Sequence, residues 1–183
     1  VPDNFNFAYD VIDVIAAEDP DKVALLWTND LGEKKTFTFR DLSLMSNSVA
    51  NFLVSRGLKK GDTALLFMRR RWEYWVLMMA MHKVGAIPIP STNQLKAEDI
   101  KYRIDTAGVG TIIAFDDGTV MNEIRNAIGD SAVQLISNDE IARAVTTEST
   151  EFARVPNENN DTMVIYFTSG TTDLPKMVAH DYT

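Results

Sequence analysis

Near the carboxyl end of the chain, "YFTSGTTDLPKMV" from Tyr166 to Val178 gathers four aliphatic hydroxyls, one glycine and a lysine behind an apolar run. Each residue type suits an anion. Gly170 lets backbone amides approach a phosphate with no side chain in the way. Thr168, Ser169, Thr171 and Thr172 offer hydroxyl donors. Lys176 supplies a mobile positive charge, and Pro175 stiffens the approach to it. The composition fits a phosphate cradle, and it equally fits a Ser/Thr/Gly turn between two elements. It is not the Walker pattern, although Gly170 and Lys176 have that motif's spacing. That motif needs Gly before the Lys and Ser or Thr after it, and here Pro175 and Met177 stand in those places.

Other stretches carry weaker chemistry. The run "RRRWEYW" (Arg69 to Trp75) follows a strand, where three arginines could meet the phosphates of a ligand. A solvated turn opening a helix, with Trp72, Val76 and Met79 facing the core, is the stronger account. His82 reads as a packed histidine near the end of that helix. His180, four residues after Lys176, could line a pocket there. "MMAMH" is core filling, and "DDG" (Asp116 to Gly118) is a turn.

The elements that must position these residues alternate between two periodicities. Phe7, Val11, Val14 and Ile15 predict one face of an opening helix that Pro20 stops. Val23–Trp27 and Lys35–Phe39 flank a turn and predict paired strands. Thr38 and Asp41 form a capping-box pattern for a helix that carries Leu42, Met45, Val49, Phe52 and Leu53 inward and closes at Gly57. Strands at 63–68, 111–115 and 133–137, with an extended "GAIPIP" between the first two, alternate with helices near 72–84, 97–107 and 120–128. This predicts an α/β fold with a mainly parallel sheet and helical crossovers. Val145 to Thr162 is polar and poorly periodic, a linker or long loop. Met163–Phe167 is one more strand, and the candidate cradle follows its carboxyl end, where α/β sheets bind ligands.

Composition narrows the function classes. The 183 residues are 45% hydrophobic and 24% charged, ordinary for a globular protein. A net charge of −8 argues against a nucleic-acid surface. The absence of cysteine excludes thiolate metal sites and cysteine nucleophiles. No apolar stretch approaches the ~20 residues that span a bilayer. The amino terminus carries no secretory pattern and no initiator Met, and a cytoplasmic protein is expected.

The motif "YFTSGTTDLPKMV" resembles the phosphate-binding signature of the adenylate-forming (AMP-binding) enzymes. "KTFTFRDLSLMSNSVANFLVSRGLKKGDTALLFM" resembles their opening strand–helix–strand unit, and "MHKVGAIPIPSTNQL" their next block. Met177 after the lysine, with His180 and Tyr182 beyond, is most similar to the medium-chain acyl-CoA synthetases. The resemblance implies the N-terminal portion of the adenylate-forming large domain over residues 1–183. It implies ATP, Mg²⁺ and CoA as cosubstrates and a small carboxylic acid as substrate. An acyl-adenylate and pyrophosphate form first, and the CoA thiol then displaces AMP. Thr168, Ser169, Gly170, Thr171, Thr172 and Lys176 would hold the β- and γ-phosphates. A carrier protein as acceptor, or a non-catalytic binding module, are the alternatives.

Two departures from the family pattern matter. Asp173 stands where the family usually has Gly. A carboxylate a few ångströms from a triphosphate would repel it by roughly 1–4 kcal/mol at effective dielectrics of 80 to 20. Asp173 could equally point to solvent or assist Mg²⁺. The acidic segment for Mg²⁺ and adenine, the ribose Asp and the late lysine of the family are not in these 183 residues. The resemblance implies that the essential catalytic residues lie downstream of Thr183. The chain by itself is therefore expected to be inactive in adenylation.

Overall fold

The computed structural model describes residues 2–168 and 174–183. Its organising strand is β3 (Thr63–Phe67), whose alternate residues point to opposite faces. Ala64 and Leu66 face one way and Leu65 and Phe67 the other, all essentially without exposure. A strand apolar on both faces needs cover on both, which is the demand that a parallel sheet with helical crossovers meets.

β3 is flanked by β4 (Ile87–Pro90) and β5 (Thr111–Ala114), and β6 (Gln134–Ser137) lies beyond β5. The order is β4-β3-β5-β6, with every pairing parallel. One face is covered by α2 (Phe39–Ser55), α3 (Glu73–Val84) and α6 (Asn138–Thr147), whose Val49, Leu53, Leu77, Met81 and Ile141 pack on Leu66 and Ile113. The other is covered by α4 (Ala97–Ala107) and α5 (Val120–Ile128), through Ile100 and Ile124 on Leu65 and Ile112. The connections from β3 and β5 leave in opposite directions, which opens a crevice beyond their carboxyl ends.

The predicted helices and strands of this unit recur within a residue or two. β1 (Val23–Thr28) and β2 (Lys34–Thr38) form the expected antiparallel pair. Thr38 and Asp41 form the capping box of α2, each accepting the other's backbone N–H.

The opening helix differs from expectation. Residues Ala8–Asp13 form a π-helical turn that continues into α1 (Val14–Glu18). Ala8, Tyr9 and Ile12 are buried, whereas Phe7 and Val14 are exposed. Hydrogen bonding from i to i+5 widens the turn, so a 3.6-residue period picks the wrong face. The predicted loop from Val145 also begins late, because α6 runs to Thr147. Ser137 and Glu140 cap α6 with a complete capping box, a signal present in "SNDE" that the periodicity alone does not show. From Glu148 to Asp161 there is no helix or strand, yet the segment is pinned. Asn51 Nδ2 donates to the carbonyls of Ser149 and Glu151 at 2.8 Å, and Arg154 pairs with Asp10 at 2.6 Å.

β7 (Thr162–Thr168) is the predicted last strand, with Val164 and Ile165 buried. It is not a member of the parallel sheet. It pairs antiparallel with β8 (Lys176–Asp181), which was not predicted. Every residue of β8 is exposed, so no burial pattern marks it.

Candidate functional site

Thr168 closes β7 and Lys176 opens β8, and the two face each other as the last pair of the ladder. Thr168 Oγ1 donates to the Lys176 carbonyl at 3.5 Å. The hairpin thus brings the first and last members of the candidate phosphate set together, both exposed to solvent. Ser169, Gly170, Thr171, Thr172 and Asp173 lie outside the described residues. Thr183, the residue beyond which the catalytic groups are expected, is not itself placed in the site. It lies past the far end of β8 from Lys176, where its N–H and hydroxyl donate to Asp181 Oδ1 at 3.1 and 2.9 Å.

Helix α4 holds the loop end of this hairpin by both arms. Tyr102 Oη donates to the Pro175 carbonyl at 3.0 Å, on the arm that leads into Lys176. The Tyr102 ring meets Phe167 of the other arm edge-on, with centroids 6.2 Å apart. The Arg103 guanidinium lies 5.0 Å above the same Phe167 ring, and its Nη1 donates to the Asp99 carbonyl at 2.8 Å. Sequence reasoning singled out neither residue. The available signal was Arg103 three residues after Ile100, a charge on the buried face of an amphipathic helix.

Beyond the carboxyl ends of β3 and β4 lies a cavity of 590 Å³, lined in part by Arg69, Arg70, Tyr74, Ser91 and Asn93. Burial, and then the nearby Tyr166 phenol, raise the pKa of the Tyr74 hydroxyl. Asp117 ties the rim together. It accepts from Asn93 Nδ2 at 2.8 Å, from the Thr119 N–H at 3.0 Å and from the Val120 N–H at 3.2 Å, and it pairs with Arg69 Nε at 2.7 Å. Burial alone would raise its pKa, but the hydrogen bonds from Thr119, Asn93 and Val120 outweigh that and hold the carboxyl well below the usual range. Arg69 adopts φ of 47°, an uncommon left-handed conformation for a non-glycine residue.

The arginine run is the exposed turn expected of it, with Arg69 and Arg70 both open to solvent and Trp72 and Val76 buried as α3 begins, but its side chains are also paired. Arg69 is anchored to Asp117, Arg71 pairs with Glu73 at 2.9 Å and stacks 4.6 Å over Phe115, and Arg70 is exposed. The "DDG" stretch forms the expected turn, with Asp116 Oδ1 accepting from the Gly118 N–H at 2.9 Å. His82 is the packed residue expected, 5% exposed against the edge of Tyr182. His180 lies on β8 against Tyr166.

A model of the family described as "AMP-binding enzyme" matches residues 12–183. The chain belongs to the AMP-binding enzyme family. Among curated relatives, the mitochondrial acyl-coenzyme A synthetase ACSM5 of Rattus norvegicus is 36% identical over 98% of the chain, and ACSM1 of Homo sapiens is 32% identical over all of it. The chain spans 34% of the length of each, about a third. Among solved structures, the inhibitor-bound N-terminal domain of FACL13 from Mycobacterium tuberculosis superposes with a TM-score of 0.84 at 24% identity, over 97% of this chain and 44% of that one. The AMP-binding fold expected from the motif is thus the fold found. The family implies use of ATP, which is the chemistry that a hydroxyl-rich, lysine-terminated loop suits. Among the described residues no group of three His, Asp or Glu is arranged to hold a metal ion.

Proposed function

We propose that the chain is part of an ATP-dependent acid–thiol ligase that makes acyl-CoA from a small carboxylic acid. One observation carries the reading. In a chain of the AMP-binding family, the β7–β8 hairpin sets Thr168 opposite Lys176 at the two ends of the candidate phosphate loop.

In the first step a carboxylate oxygen bonds to the α-phosphorus of MgATP, and the bond to the β-phosphate oxygen breaks to release pyrophosphate. In the second step the thiol sulfur of CoA bonds to the acyl carbon. AMP leaves with the electrons of the acyl–oxygen bond, and the thiol proton passes to solvent. The difficulty of the first step is electrostatic, since an anion attacks one polyanion and expels another. A fixed cation and hydroxyl donors beside the β- and γ-phosphates neutralise the charge that develops on the leaving group. Lys176 is the cation and Thr168 one hydroxyl donor, with Ser169, Thr171 and Thr172 supplying the other hydroxyls and Gly170 leaving the backbone amides open to the phosphates. Magnesium would enter as the counter-ion of the nucleotide.

Lys176→Ala in the full-length protein should raise the KM for MgATP and slow pyrophosphate exchange by at least about tenfold, the loss of a hydrogen bond to a charged group. Unchanged ATP kinetics would overturn the reading. The 183-residue chain by itself should form no acyl-adenylate. The cytoplasmic location read from the sequence is part of the same proposal, and fractionation tests it, because the relatives named above are mitochondrial.

A further inference from the structure

The sole described side-chain hydrogen bond from a parallel-sheet helix into the candidate phosphate hairpin is that of Tyr102. Its Oη donates at 3.0 Å to the carbonyl of Pro175, the residue immediately before Lys176. Proline has no N–H and a fixed φ, so this segment cannot be held by a ladder bond from its own amide. The ring of Tyr102 and the guanidinium of Arg103 together grip Phe167, which pairs with Met177 one step from the Thr168–Lys176 pair. Both arms of the hairpin are thereby referred to one rigid helix. The Pro175 carbonyl fixes where the Lys176 backbone starts, and the Phe167 contact fixes where Thr168 ends.

We propose that Tyr102 is a positioning residue for the phosphate-binding lysine: its hydroxyl sets the backbone from which Lys176 reaches the β- and γ-phosphates of ATP. The inference rests on the function proposed above. It assigns Tyr102 no contact with substrate. A pre-set lysine loses less freedom on binding, so the effect belongs to ligands that carry the outer phosphates and not to AMP, which lacks them.

Tyr102→Phe removes the hydroxyl and keeps the ring against Phe167, so folding is spared. In the full-length protein, calorimetry should show the Kd for MgATP rising about fivefold, the effect of one neutral hydrogen bond, while the Kd for AMP stays within twofold. The KM for the carboxylate should be unchanged. Equal weakening of ATP and AMP would mark a merely structural role and overturn the inference. So would wild-type ATP binding in Tyr102→Phe where Lys176→Ala is impaired, and that result would leave the function standing. If Lys176→Ala itself binds ATP normally, the functional reading fails and this inference falls with it.

Discussion

Asp13→Ala would leave the Lys83 ammonium without a carboxylate partner among the described residues. The Lys83 side chain is fully buried, with Nζ 2.7 Å from Asp13 Oδ1, 2.7 Å from Asn47 Oδ1 and 3.3 Å from the Ser43 carbonyl. Burial pushes its pKa down, while the hydrogen bond and charge of Asp13 pull it back up. Breaking a buried pair by removing one partner costs about 3–5 kcal/mol. Asp13 is 28% exposed and two neutral acceptors remain, so the lower end applies, about 3 kcal/mol. For a chain of this size that is a fall in Tm of about 6–12 °C. Lys83→Met should cost less, about 1 kcal/mol, because the Asp13 carboxylate reaches water and keeps the Ser43 hydroxyl at 2.7 Å.

The pH dependence has a definite sign. Between the lowered folded pKa and the unfolded value of about 10.4, the unfolded state holds a proton that the folded state has released, so stability rises with pH. Asp13→Ala lowers the folded pKa further and should steepen that rise. Urea unfolding at neutral pH and near pH 9.5, just below the unfolded lysine value, measures both effects. A loss below about 1 kcal/mol in Asp13→Ala, or a larger loss in Lys83→Met, would refute the assignment of an ion pair that Lys83 needs more than Asp13 does.

Two further outcomes follow from other buried groups. His82 is buried with neither ring nitrogen hydrogen-bonded among the described residues, and burial lowers its pKa to about 4. Stability should therefore fall as pH drops from about 6.5 to 4, by up to about 3 kcal/mol, and His82→Phe should flatten that limb in acid unfolding. Asp117, whose folded pKa lies below its unfolded value of about 3.9, contributes stability that is complete above that value and is lost as pH falls below it. Asp117→Asn should shrink the acid loss and cost about 1–3 kcal/mol at neutral pH, and a mutant as stable as the parent would count against the rim that Asp117 ties together.

Much of the parallel unit can be read from the sequence because its code is local. The double-sided apolar run of β3, the Thr38–Asp41 box and the left-handed Gly85 that ends α3 each act within a few residues of themselves. The first helix misled because a π turn breaks the period on which the reading depends. β8 was missed because an exposed strand stabilised by its partner's backbone leaves no side-chain pattern. Of the candidate site, the residue types of the phosphate loop could be read directly, but the Tyr102 and Arg103 support could not.

The sequence by itself determined the alternation of strand and helix, the family motif and the residues suited to phosphate. Those follow from side-chain chemistry and short-range periodicity. Only the tertiary structure decided that Thr168 stands across from Lys176, that α4 holds the Phe167 and Pro175 arms, and that Asp117 joins loops after three different strands. Thr168 and Lys176 are only eight positions apart but are matched by a ladder to an exposed strand with no side-chain pattern. The other contacts link residues tens of positions apart, chosen by how helices and strands stack, which no local pattern encodes.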